Sequence, residues 1–210
     1  TDFALLTSTQ ISALTDAQLD DFDTTQIAKL ATSQIKGLTV AQIKSLDAVQ
    51  VAAIESEDLK LFTAAQIAAF TTDQVKALTT DQIDALSTTQ IRALTTAQIG
   101  SLTSAQLAEF LADDIKALTN AQISKMSTDQ ITWLTDAQLQ AFTSSQIPAL
   151  TSSQISNLDS AQIGILTNDQ LKALTAVQIK ALSSDQIDAI GTTDFALLTS
   201  TQISALTDAQ

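Results

Sequence analysis

The chain has no Cys, no His and no Tyr, and only one Trp, one Met and one Pro among 210 residues. Without Cys there is no disulfide and no thiol nucleophile. Without Cys or His the usual zinc ligand sets fail, and so does imidazole acid–base chemistry. Four Gly leave no material for a phosphate-cradling loop or a flexible linker. Basic residues are scarce as well, ten against 23 acids, for a net charge of −13. Nucleic acid and anionic membranes both need a basic face, so neither is expected as a partner. No apolar run approaches the ~18 residues that mark a membrane span. Yet 45% of the residues are hydrophobic, more than a disordered chain carries.

What is there is an internal repeat, the first thing to seek in such a chain. Thr7–Leu14 reads TSTQISAL, the next eight residues TDAQLDDF, the next DTTQIAKL. The period is eight, the pattern T-x-x-Q-I-x-x-L, and it runs without insertion or deletion to Gln210. Of 26 residues in the first column, 22 are Thr, Ser or Asp; the exceptions are Ala31, Glu55, Leu111 and Gly191. The fourth column holds 23 Gln and three Asp, namely Asp58, Asp114 and Asp194. The fifth and eighth columns are apolar throughout. A longer period sits above this one: residues 193–210 repeat residues 1–18 letter for letter, at an offset of 192. The match includes rare choices such as Asp2 and Asp194 in the Gln column. The chain is therefore read as one continuous octapeptide-repeat solenoid over 1–210, a unit of 1–192 plus the first 18 residues of the next, 193–210, taken from a longer tandem array. Duplication at the two ends of a closed ring is the second reading.

A strand alternates faces with period two, so Ile11 and Leu14, three apart, would point in opposite directions. A continuous helix advances about 800° in eight residues, roughly 80° past two turns, and its apolar stripe would wind around it. A separate short helix in each octad fits instead. Thr7 with Gln10 spells a capping box, and Leu6 with Ile11 a hydrophobic staple. The same grammar recurs at Thr15 and Gln18, Thr79 and Gln82, and Thr95 and Gln98. Charge placement agrees: all ten bases lie in the sixth or seventh column, and 18 of the 23 acids lie in the first four. That sorting suits a helix dipole that restarts every octad.

One octad cannot stand alone. Burying its Ile and Leu contributes ~3–6 kcal/mol, while ordering eight residues costs about 12 kcal/mol. Later octads must pack on earlier ones, which makes the expected fold an all-α solenoid of short capped helices, one per eight-residue repeat. Trp133, Ile165 and Leu197, bulky residues in the small seventh column, lie 32 apart and suggest four octads per turn; Leu5 and Leu61 do not follow that spacing.

Chemical sites are few. Glu55, Glu57 and Asp58, or Asp113 with Asp114, offer oxygens for Ca²⁺ but lack the EF-hand spacing and its Gly, and read first as solvated helix starts. No other cofactor is expected. Leu61, Trp133 and Ile165 exceed the two-column core and would either fill the coil or make lateral contacts. Pro148 falls inside a helix, where it should distort its octad. No nucleophile–base pair appears, so no enzyme is expected. The Thr lattice raises ice binding, but the second and third columns mix Ser, Asp, Ala, Val and Thr.

The stretches Leu78–Leu86, LTTDQIDAL, and Leu94–Leu102, LTTAQIGSL, resemble short tandem repeats of giant bacterial surface and secreted adhesin-like proteins. The resemblance covers the whole chain and implies a structural protein, an extracellular rod, filament or sheath. It implies an extracellular or cell-surface location, with self-association or continuation of the same array as the partner. An interaction scaffold or adhesin gripping another protein is the alternative.

Overall fold

The computed structural model describes residues 2–210, apart from the side chains of Asp2 and Ala4. Among the described residues there are 24 α-helices of four to six residues, two 3-10 turns and no strand. One helical piece falls in each octad, and the chain is an all-α solenoid. Its residues gather into two compact units, Thr1–Glu109 and Phe110–Gln210.

The break between helices is made by backbone geometry at the first column. Thr79 is extended, with φ −69° and ψ 162°, and its hydroxyl accepts from the Gln82 amide at 3.1 Å. The helix Thr80–Asp84 follows and stops before Leu86. Thr95 repeats this with φ −69° and ψ 161°. Among the described residues none takes a positive φ, so the path is built from ordinary helical and extended conformations.

Within the first unit, helix Val40–Ser45 packs on Ala64–Ala69, which packs in turn on Thr88–Ala93. Within the second, Ala112–Ala117 packs on Asp136–Ala141, and Ser152–Ser156 on Ala176–Ala181. Each partner is the third helical piece along. The fifth and eighth columns fill the space between: Ile43, Val51, Ile67, Ile99, Leu118, Ile131 and Ile179 are all buried. Neighbouring pieces approach closely at Gly37, in the seventh column. A Cβ added to Gly37 would lie 2.8 Å from both the Cβ and the carbonyl oxygen of Ser8, so this octad has no room even for Ala.

Pro148 changes its octad as expected. Lacking an amide hydrogen and crowding the carbonyl four residues back, it cannot sit in the interior of an α-helix. Residues 144–149 form turns and the 3-10 segment Ile147–Ala149 instead of the α-helix found in neighbouring octads. Pro148→Ala should restore the α-helix and raise stability by about 1 kcal/mol, part of the ~3 kcal/mol that separates Pro from Ala in helix interiors. A urea titration checks this; an unchanged or lowered midpoint would show the 3-10 segment to be preferred on other grounds.

Candidate functional site

The feature that recurs in both units is the side chain of the fourth column. Its oxygen makes the local bond: Gln82 Oε1 accepts from the Thr79 amide at 2.8 Å, closing the capping box. Thr7 with Gln10, Thr15 with Gln18, and Thr95 with Gln98 are arranged alike. At Ala31 and Leu111, which lack a side-chain oxygen, half of the box survives. The Ala31 amide still donates to Gln34 Oε1 at 2.7 Å, and the Leu111 amide to Asp114 Oδ2 at 3.0 Å.

The nitrogen of the same amide leaves its own octad. Gln82 Nε2 donates to the Val51 carbonyl at 3.0 Å and to the Ile54 carbonyl at 2.7 Å, 31 and 28 residues earlier. Gln42 does the same to Ile11 and Leu14, Gln74 to Ile43 and Leu46, and Gln98 to Ile67 and Phe70. In the second unit Gln146 reaches Ile115 and Leu118, and Gln178 reaches Ile147 and Leu150. The receiving carbonyls belong to the fifth and eighth columns. They lie at the end of a helix, where the last carbonyls lack intrahelical partners. One Gln thus caps the start of its own helix and the end of the helix four octads earlier. Three of the four hydrogen-bonding sites of the amide are used, which is what allows Gln82 and Gln98 to be buried with only 1% of their surface exposed. No buried side-chain nitrogen or oxygen among the described residues lacks a partner.

Helix-on-helix packing at three octads and amide bridges at four together place one turn of the solenoid between three and four octads. The 32-residue spacing of Trp133, Ile165 and Leu197 lies at the upper end of that range. The seventh column reports no register, because its bulky members need not meet one another: Trp133 is 45% exposed and Leu61 38% exposed, while Ile165 is half-buried.

The acidic groups named above do not converge. Glu57 pairs with Lys60 at 2.6 Å and Asp113 with Lys116 at 3.0 Å, each within its own octad and exposed. Glu55 is an exposed N-cap without a side-chain cap bond. Among the described residues no three acidic side chains come together as a metal site would require. Asp58, in the Gln column, is buried and accepts from the Thr32 hydroxyl at 3.0 Å. It has no amide to offer the carbonyls of Ile27 and Leu30, which stand where a Gln would donate. Asp58→Gln should restore both bonds and stabilise the chain by about 1–2 kcal/mol. A lower urea midpoint than wild type would contradict this.

A family model described as the ALTTAQ repeat matches residues 51–88, 82–110, 112–144, 141–176 and 166–200, well over half of the chain. The chain belongs to the ALTTAQ repeat family. No curated protein matches it. The five matches to the ALTTAQ repeat are tandem and run through both compact units, so the same lattice chemistry applies along most of the sequence.

The letters of the ALTTAQ repeat do not spell out the second bond of the Gln, although they carry a signal of it. A capping box accepts Glu as readily as Gln, yet the fourth column holds 23 Gln and no Glu. The exclusion of Glu marks a need for the amide nitrogen. No helix is long and apolar enough to cross a membrane among the described residues.

Proposed function

We propose that the chain is a structural protein, an acidic helical solenoid whose tandem units build an extended rod, filament or sheath outside a bacterial cell. The observation that carries the reading is the amide lattice. In both units the same pair of hydrogen bonds recurs between an octad and the one four before it, interrupted at octads such as that of Asp58, so layers add by one repeated rule. Stability then grows by nearest-neighbour increments, which suits a load-spreading array. The net charge of −13 keeps such an array soluble and discourages anionic partners. The role assigned involves no catalysis and no cofactor.

Electron microscopy of a chain carrying several 192-residue units tests the reading. Particles that lengthen in proportion to unit number support it, and particles that stay globular overturn it. The interaction-scaffold reading draws on Leu111 and Val177, which are 66% and 68% exposed. Pull-down with the chain separates the two, since a stoichiometric foreign partner would favour the scaffold. Ice binding is set aside because the Thr hydroxyls of the first column are engaged as caps.

A further inference from the structure

Asp58 puts a carboxylate into a column of amides, inside the first unit, with only 7% of its surface exposed. Asp114 keeps the local part of the Gln role by accepting from the Leu111 amide. Asp58 does not. Its hydrogen bond comes from the Thr32 hydroxyl, 26 residues earlier, at 3.0 Å. The carboxylate thus faces the preceding layer instead of the start of its own helix. No counter-charge comes with it: among the described residues the ion pair of this octad joins Glu57 to Lys60, and none reaches Asp58. A buried carboxylate without a cationic partner is costly.

The chemistry of the place it faces is shown by other layers of the same unit. Gln50 Nε2 stands 3.1 Å from the Leu19 carbonyl and 2.8 Å from that of Phe22; Gln82 Nε2 stands 3.0 Å from Val51 and 2.7 Å from Ile54. The carbonyls of Ile27 and Leu30 hold the same two lattice positions ahead of Asp58. Thr32, which bonds the carboxylate, lies two residues beyond Leu30. The Ile27 carbonyl accepts from the Leu30 amide at 3.1 Å, as the Val51 carbonyl accepts from the Ile54 amide at 3.2 Å. A second lone pair on each is left for the next layer. Where Gln presents a positively polarised NH₂ to two carbonyls, Asp58 brings a third acceptor.

We infer that the Asp58 carboxylate, the carbonyls of Ile27 and Leu30 and the Thr32 hydroxyl hold a large monovalent cation of the potassium class between the two layers. Every donor is an oxygen, and together they carry one formal charge. The lattice sets its carbonyls to receive a group at 2.7–3.1 Å. Ca²⁺ needs about six to eight oxygens at ~2.3–2.6 Å, and Mg²⁺ an octahedron at ~2.0–2.1 Å. Carbonyls fixed by helix hydrogen bonds do not close to those distances. The ion does for this layer what the Gln amide does for others, whether or not chains build an extended array.

Urea titration at constant ionic strength, with K⁺ replacing choline, tests the site. Fixed ionic strength removes general screening of the −13 charge. The unfolding constant of wild type should fall about tenfold when K⁺ reaches roughly ten times its dissociation constant. Asp58→Gln supplies its own amide, and Asp58→Asn keeps the size and drops the charge; both should lose the response to K⁺. Without K⁺ the Asp58→Gln chain should be more stable than wild type, and the gap should narrow as K⁺ is added. In crystals soaked with Rb⁺, anomalous scattering should place an ion in contact with Asp58 and the Ile27 and Leu30 carbonyls. A wild type indifferent to K⁺, a response that both variants keep, or a stronger response to Ca²⁺ overturns the assignment.

Discussion

Gln82→Glu should destabilise the chain by about 3–5 kcal/mol, the range seen when a buried polar pair is broken and a charge left uncompensated. The substitution keeps the size of the side chain and the capping oxygen that receives the Thr79 amide. What changes is the other end. Two N–H donors aimed at the Val51 and Ile54 carbonyls become a carboxylate oxygen facing two acceptors, in a site with 1% of its surface exposed. Thr79→Ala, which removes only the cap, should cost ~1 kcal/mol. The Gln82→Glu variant should also acquire a pH dependence from the introduced carboxyl. Once protonated, the introduced carboxyl can donate to one carbonyl, so the folded state binds its proton more tightly than the unfolded state does. The deficit relative to wild type should then shrink as pH falls through the carboxyl's raised folded value. Urea midpoints of wild type and both variants across pH check all three statements; equal losses for Gln82→Glu and Thr79→Ala would remove the special role of the amide nitrogen.

The second large effect compares two positions with the same local sequence. Ile11 and Ile203 both sit in TSTQISAL, so helix propensity, cap and charge are matched. Ile11→Ala should cost about 2–5 kcal/mol, because a fully buried side chain is removed and its cavity is shared with the layer above. Ile203→Ala in the dilute chain should cost ~1 kcal/mol or less, since 42% of that side chain already meets water. Urea titrations of the two variants measure the difference. Similar losses would mean that burial is settled inside each octad, and the solenoid reading of the stability would be wrong.

How far the sequence carries can be judged from particular residues. The start of each helix is written locally: Thr79, Gln82 and Ile83 lie within five positions, and their chemistry is complete without any distant partner. The same holds for Pro148, whose missing amide hydrogen acts on its own octad. The bridge from Gln82 to Val51 and Ile54 is different. Its acceptors are backbone carbonyls, which every residue possesses, so nothing in the letters at 51 and 54 announces them. Only the absence of Glu from a column that would tolerate it hints at the bond. The number of octads per turn is hidden for a related reason. It is set by carbonyl positions and helix packing, while the residues that suggest it by their spacing, Trp133 and Ile165, need not touch. The fate of Glu57 and Asp113 is open at the level of sequence because their Lys partners lie one turn away in the same octads, a pairing as available as a metal ion.

Hydrogen exchange of the Gln side-chain amides, followed by nitrogen-edited NMR on the dilute chain, tests the central claim most directly. The lattice predicts slow exchange for Gln42, Gln74, Gln82, Gln146 and Gln178, whose nitrogens are each held by two carbonyls. Uniformly fast exchange along the whole column would contradict it, because the amide nitrogens would then be facing water and the layers would be held by something else.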